Sequence, residues 1–465
     1  MGGFVGRTRE LHELEQLYAG REAITCVLYG RKRLGKSALL KEFCKDKRYI
    51  YISAAGVSKS LCYNNICEAL GRFAGEKVDL KSIDFLFDEI IEICGSTKTV
   101  LIMDDYSELM NIFPSLSAQI KPFMRNKISN TNILFIICDE DASLSKSVFS
   151  SIKVEQMSYL ESKEFHKEYS DMDNLKAYGI AGGTPAYHFL FQGTPEETIR
   201  ALFLDRMSVL TLEAESMINA EMVINQECSA VMSSMALGAD TIDTIAEETD
   251  ISRRACGKVL DELVNKNLAY VKGYGFSKKP MYSLSSNLLR FYYAVISRSR
   301  FLPDFYSENE AGVRVSRYIK DYMELVFKDV CEDFVKLRYK RGAPARCEIS
   351  YARNRNDSKI KYVDFVLKLD GNKTIVPVFC RLYGEFVNLD DAIYLEKNSS
   401  RIAETGSLYL LFSGCGFSSE LTDAPESDSS VPESLSELNA LVQRKDKKYA
   451  LIGLEDIYKS REAER

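Results

Sequence analysis

The sequence predicts an α/β protein built on a parallel sheet, and three observations carry that reading. Short apolar runs alternate with helical stretches over the first 150 residues. One of those runs, "AITCVLYG" from Ala23, passes directly into a glycine-bracketed basic loop. The loop opens into "KSALLKEFCKD", whose Leu39, Leu40 and Phe43 fall on one side of a helix.

Each element follows in order. "TRELHELEQLYAG" reads as a helix, and "ITCVLYG", "YIYISAA", "TVLIMDD" and "NILFIICDE" read as strands. "CYNNICEALGRFAG" and "IDFLFDEIIEIC" supply further helices between them. Beyond residue 160 the pattern turns helical, broken by "GIAGGTPAY". Residues 231–300 read as short helices and a hairpin, "LAYVKGYGFSKKPMYSLS". After Arg300 come a long helix, "YIKDYMELVFKDVCEDFVKLRY", and two paired strands, "IKYVDFVLKLD" and "TIVPVFCRLYG". The polar stretch "SSELTDAPESDSSVPES" is expected to be a mobile loop.

A length of 465 residues suggests about three domains. The net charge of −6 argues against a globally basic nucleic-acid coat, though not against a local basic patch. Twelve cysteines lack any C-x-x-C pair, and there are three histidines, so a zinc site is not expected. The cysteines read as small buried hydrophobes of a reducing compartment. The longest apolar run is far shorter than a bilayer needs, and the opening residues do not resemble a signal peptide. A cytoplasmic protein is therefore expected, with no membrane partner.

The loop reads Gly30-Arg31-Lys32-Arg33-Leu34-Gly35-Lys36-Ser37, the G-x-x-x-x-G-K-S pattern of a P-loop. Glycines let successive N–H groups turn inward toward phosphate oxygens, and the helix that follows adds its positive end. The candidate nucleotide contacts are Gly30, Gly35, Lys36, Ser37 and Ala38. Lys36 would reach the β- and γ-phosphates, and Ser37 would ligate Mg²⁺. "TVLIMDD" then sets Asp104 and Asp105 at the carboxyl end of a strand, where a Mg²⁺-binding aspartate belongs. The ligands expected are thus ATP or ADP with Mg²⁺. Asp105 stands where many related ATPases carry a water-orienting glutamate. It is one C–C bond shorter, about 1.5 Å, and slow hydrolysis is the expectation.

Together, "FVGRTREL" at Phe4, the P-loop, "TVLIMDD" and "GGTPAYHFL" at Gly182 resemble the archaeal-type AAA+/STAND P-loop ATPases. That resemblance implies a P-loop ATPase core at 1–160, a helical lid with a GG-x-P-x-Y motif at 161–230, a winged helix-turn-helix at 231–300, and a C-terminal α/β restriction-endonuclease-like domain at 301–465. It also implies that Val5, Gly6 and Arg7 line the adenine pocket, that Pro185 touches the base, and that Lys36 and Asp105 are catalytic. The chain departs from the family twice. Cys138-Asp139-Glu140 replaces a small polar sensor, and "SVFSSIKVEQM" lacks the usual arginine. The missing arginine favours slow turnover.

In the third segment, Ile242, Ile245 and Ala246 form one apolar face, and "TDIS" makes a turn into "RRACGKVLDELVNKNL". Arg253, Arg254 and Lys258 are candidate DNA-phosphate contacts, with Lys272, Lys278 and Lys279 from the hairpin. In the fourth segment, the nuclease resemblance matches Glu324 and Asp364 to metal-holding carboxylates. Phe379 falls where a glutamate is needed and Arg381 where a lysine is needed, so this site is expected to be degenerate. The expected function is a slow, Mg²⁺-dependent ATPase acting as a nucleotide-dependent switch. The alternative is a DNA-binding regulator or defence component whose assembly on DNA is nucleotide-controlled. Expected partners are nucleotide, DNA through the winged helix, and a protein partner or a second copy of the chain.

Overall fold

The computed structural model describes residues 3–20, 23–54, 56, 58–140, 150–203, 209–221, 226–274, 279–299, 306–339, 348–350, 363–369, 374–400 and 408–459. Two compact units are present, one of Met1–Met157 with Gly183–Phe189, the other of Ser158–Gly182 with Leu190–Glu464.

The first unit is a five-stranded parallel sheet in the order β2-β3-β4-β1-β5. Its strands are β1 Ile24–Tyr29, β2 Tyr49–Ser53, β3 Thr99–Asp104, β4 Ile133–Asp139 and β5 Ser150–Lys153. Helices α1 Thr8–Ala19, α2 Lys36–Phe43, α3 Lys59–Ala74, α4 Leu86–Cys94, α5 Tyr106–Ile112 and α6 Pro114–Pro122 cover it. The four sequence-read strands and four helices are all present. β5, α5 and α6 are additional. Because side chains alternate across a strand, one sheet feeds two cores. Val27, Ile50, Ile52, Leu101, Met103 and Phe135 pack with α3 to α6. Cys26, Leu28, Val100, Ile102 and Ile136 pack with α1 and α2. β3 is buried at every position, the mark of a central strand covered on both faces. A short helix, Pro185–His188, belongs to this unit as well.

The second unit begins with helices, among them Tyr159–Lys163, Asp171–Ala181, Pro195–Phe203, Val209–Glu221 and Gln226–Ala236. Helices Ile242–Thr249 and Arg253–Asn265 follow, then a hairpin of β6 Ala269–Tyr274 and β7 Pro280–Leu284. Side-chain caps start both helices: Thr241 accepts from the N–H of Thr244, and Ser252 from that of Ala255. A 32-residue helix, Glu308–Tyr339, leads to a six-stranded sheet ordered β12-β13-β11-β10-β9-β8. Its strands are β8 Glu348–Ser350, β9 Phe365–Leu369, β10 Thr374–Arg381, β11 Tyr409–Ser413, β12 Ser427–Asp428 and β13 Tyr449–Gly453. The stretch expected as a mobile loop is ordered instead. It holds helix Ser419–Thr422, capped by Ser418, and β12 paired in parallel with β13. Local polarity hid it, because the ordering comes from strand pairing with residues beyond the stretch. No described helix is long and apolar enough to cross a membrane.

Candidate functional site

The P-loop joins β1 to α2, and its backbone is shaped by contacts a side chain would break. A Cβ on Gly30 would lie 2.3 Å from the carbonyl oxygen of Val154, so this position is closed to other residues. Gly35 has φ 85° and forms the N-cap of α2, a left-handed conformation natural to glycine. Lys36 opens α2. Its ammonium donates to the carbonyls of Gly30 at 2.5 Å and Arg31 at 2.9 Å, inside the arc of the loop. Ser37 and Ala38 are exposed at the start of the same helix.

Asp104 ends β3 with only 2% of its surface exposed. Its Oδ2 accepts from Ser37 Oγ at 2.6 Å and from the hydroxyl of Tyr51. Its Oδ1 accepts from the N–H of Asp105 at 3.0 Å. Asp105 sits at φ 53°, strained for a non-glycine residue, and its Oδ2 accepts from Ser53 Oγ at 3.1 Å. Burial, followed by the charge of Asp104, raises the Asp105 carboxyl above its ordinary range. Burial and then Asp104 likewise raise the Tyr51 hydroxyl and the Cys138 thiol, so both stay protonated. Tyr51 and Ser53 escaped the sequence reading. Their signal was strand spacing: positions i and i+2 of β2 share one face, and Ser53 is in register with Asp104.

Around the loop, Glu140 pairs with Lys32 at 3.1 Å and raises the lysine's pKa. Asp139 accepts from Ser107 Oγ. The segment that departs from the family at the end of β4 thus carries acidic residues beside the loop. Residues 147–149 of "SVFSSIKVEQM" lie outside the described residues, and the rest supplies β5.

Arg7 is buried and also strained, at φ 60°. Its guanidinium donates to the carbonyl of Leu34 at 2.9 Å and pairs with Glu10 at 3.1 Å, fastening the first turn of the chain to the P-loop. Met157 links Gly6 to the second glycine motif. A Cβ on Gly6 would approach its methyl at 3.0 Å, and one on Gly183 would collide with its carbonyl oxygen at 2.0 Å. Gly183 O also accepts from Met157 N at 2.9 Å. Pro185 therefore stands next to the loop, its Cγ 3.8 Å from where a Gly35 Cβ would be. Gly6, Arg7, Gly30, Gly35, Lys36, Ser37, Asp104, Asp105 and Pro185 are gathered around one loop. Val5 adjoins them in sequence and is half-buried.

Among the described residues, the other candidates are not gathered around one loop in that way. Arg253 and Lys279 both pair with Asp243, at 2.9 and 2.5 Å. Lys272 is not available to a ligand as expected. It is only 17% exposed and pairs with Asp329 at 2.6 Å and Glu332 at 2.8 Å. Arg254 and Lys258 are exposed one helical turn apart. Lys278 lies outside the described residues.

In the C-terminal sheet, Asp364 pairs with Lys328 at 2.6 Å and accepts from the N–H of Cys380. Glu324 accepts from the N–H groups of Leu382 and Tyr383. Phe379 packs with Ala392 and Leu395, while Arg381 grips Asp391 through two hydrogen bonds of 2.6 and 2.7 Å. Asp364 thus meets helix Glu308–Tyr339, which itself carries Glu324, whereas Arg381 meets helix Leu389–Ser399 and Phe379 shares a buried cluster with it. Among the described residues, no group of three or more His, Cys, Asp or Glu could hold a metal ion.

Residues 4–187 match the family model of an ATPase domain predominantly from Archaea. An uncharacterized protein of Methanocaldococcus jannaschii, MJECL04, is 22% identical over 83% of this chain and 93% of its own length. An uncharacterized ATP-binding protein of the same organism, MJ0423, is 42% identical over 10% of this chain and 76% of its own. The solved Walker-type ATPase PABY2304 of Pyrococcus abyssi is 13% identical, with a TM-score of 0.48 over 63% of this chain and 96% of that one.

Proposed function

We propose that this chain, whose residues 4–187 form an archaeal-type P-loop ATPase domain, is a slow Mg²⁺-dependent ATPase that works as a nucleotide-dependent switch. The observation that carries the reading is the meeting of Ser37 and Asp104 at 2.6 Å beside the Lys36 ammonium. A hydroxyl and a carboxylate are hard oxygen donors, the set that suits Mg²⁺ held mainly by phosphates and water. Gly35 at φ 85° and the start of α2 fit a phosphate, since a glycine turn leading into a helix N-terminus suits an anion. When bound, Mg²⁺ would neutralise charge on the transferring phosphoryl group.

This chain's own residues divide the remaining work. Lys36 exchanges the carbonyls of Gly30 and Arg31 for the phosphates. Arg7, anchored on Leu34 O, keeps the loop's shape. Asp105 orients the attacking water, but its short side chain is tethered to Ser53, away from free reach. A carboxylate misplaced by about 1 Å can cost on the order of 100-fold. Turnover below ~1 s⁻¹, the slow end of the enzyme range, is the expected result. Steady-state phosphate release with and without Mg²⁺ tests this, and fast turnover would remove the switch reading.

A second reading, a DNA-binding regulator under nucleotide control, draws on Arg254 and Lys258 alone among the described candidates. Both are exposed on helix Arg253–Asn265, the helix a winged helix-turn-helix would present to DNA. Replacing both with alanine should weaken DNA binding and lower its salt slope by about 2, one for each phosphate no longer neutralised. A slope that stays the same would exclude that face.

A further inference from the structure

We propose that Tyr51 is a positioning residue for the carboxylate of Asp104, fixing it for Mg²⁺–nucleotide binding. This rests on the reading of Asp104 as the metal carboxylate. Tyr51 belongs to β2, an edge strand that supplies no part of the P-loop. Its hydroxyl nevertheless donates to Oδ2 of Asp104, the oxygen that also takes the Ser37 hydroxyl.

The two donors have different fates. Ser37 is the P-loop hydroxyl that would ligate Mg²⁺ when the ion is bound, so its hydrogen bond to Oδ2 would depend on the state of the site. Tyr51 is committed. Its ring packs into the core shared by α1 and α2, and its neighbours Ile50 and Ile52 are buried in the opposite core. With the Asp105 N–H on Oδ1, Tyr51 therefore fixes the plane of the carboxylate when Ser37 ligates the ion. Without it, one oxygen of a carboxylate only 2% exposed loses its standing partner, and the group can swing about its Cα–Cβ bond. Partners that orient a metal's ligands typically account for about 10–100-fold in metal affinity.

The experiment titrates Mg²⁺ against a fluorescent ATP analogue bound to the full chain. Wild type, Tyr51→Phe, Asp104→Asn and the double variant are compared, each also measured in EDTA. Phenylalanine keeps the ring and removes only the hydroxyl. Tyr51→Phe is expected to raise the Mg²⁺ needed for half-maximal binding about 10-fold and to leave the EDTA affinity unchanged. The unchanged EDTA affinity shows that the pocket is still folded. Asp104→Asn should raise the requirement further, and adding Tyr51→Phe to it should change nothing more. An unaltered requirement in Tyr51→Phe alone overturns the positioning role. An unaltered requirement in Asp104→Asn overturns the metal reading beneath it. A further rise in the double variant shows that Tyr51 acts elsewhere. If Tyr51→Phe loses EDTA binding too, its role is in packing and the proposal fails.

Discussion

Ser37 Oγ stands 2.6 Å from Oδ2 of Asp104, although 67 positions separate them in the chain. The pairing follows from the sheet: β1 delivers the P-loop, β3 delivers Asp104, and both strands end on the same edge with β4 between them. Parallel strands place all their carboxyl ends together, which is where such sheets bind ligands.

The carboxylate next to it gives the first prediction. Asp105→Glu should raise ATP turnover, by up to about 100-fold if reach alone limits it. Steady-state phosphate release measures this, and a variant no faster than wild type would show that Asp105 does not position water.

Buried and exposed ion pairs should differ sharply in the second unit. Lys272 lies between Asp329 and Glu332, and Arg290 also pairs with Asp329. Burial raises the Glu332 carboxyl, whereas Arg290 and Lys272 outweigh burial at Asp329 and lower it. Lys272→Met leaves those carboxylates with one cation fewer and should cost about 3 kcal/mol. Arg253→Met breaks a pair whose arginine is 75% exposed and should cost at most about 1 kcal/mol. Denaturant unfolding of both variants gives the comparison. Equal losses would mean that the buried cluster is not a structural tie.

His166 supplies a pH dependence. Its ring stacks on Tyr169 at 4.7 Å, and burial lowers its pKa from 6.5 to about 4. The fold holds the neutral form, so its contribution is complete above pH 6.5 and is lost as pH falls through that value toward 4. Melting of wild type should therefore decline more between pH 6.5 and 4 than melting of His166→Phe. Parallel curves would show that the ring is not held neutral.

No metal-dependent DNA cleavage is expected from the C-terminal sheet. Asp364 is taken by Lys328, and Arg381 by Asp391 on the opposite face from helix Glu308–Tyr339. Incubating supercoiled plasmid with the protein and Mg²⁺ or Mn²⁺ tests this. Nicking that vanishes in Asp364→Ala would establish a live nuclease.

The parallel sheet was legible because β1, β3 and β4 are short, mostly apolar and closed by Gly30, Asp104 and Asp139. The P-loop was legible because few sequences satisfy both its glycine and its lysine positions. What stayed hidden depends on pairing across the chain. β5 has a single buried position, so no periodicity betrays it. β12 is two residues long and exists only beside β13. Lys272 looked like a surface cation of a hairpin, because its two carboxylates come from a helix nearly 60 residues further on. Tyr51 and Ser53 read as ordinary strand residues until β2 and β3 were placed in register.

The central claim is that the Gly30–Ser37 loop binds a nucleotide through Lys36. Titration of a fluorescent ATP analogue against wild type and Lys36→Ala, with melting measured on both, tests it most directly. The expected result is saturable Mg²⁺-dependent binding in wild type and a loss of more than about 100-fold in affinity in the variant, with melting unchanged. Equal affinity in the two proteins would contradict the account.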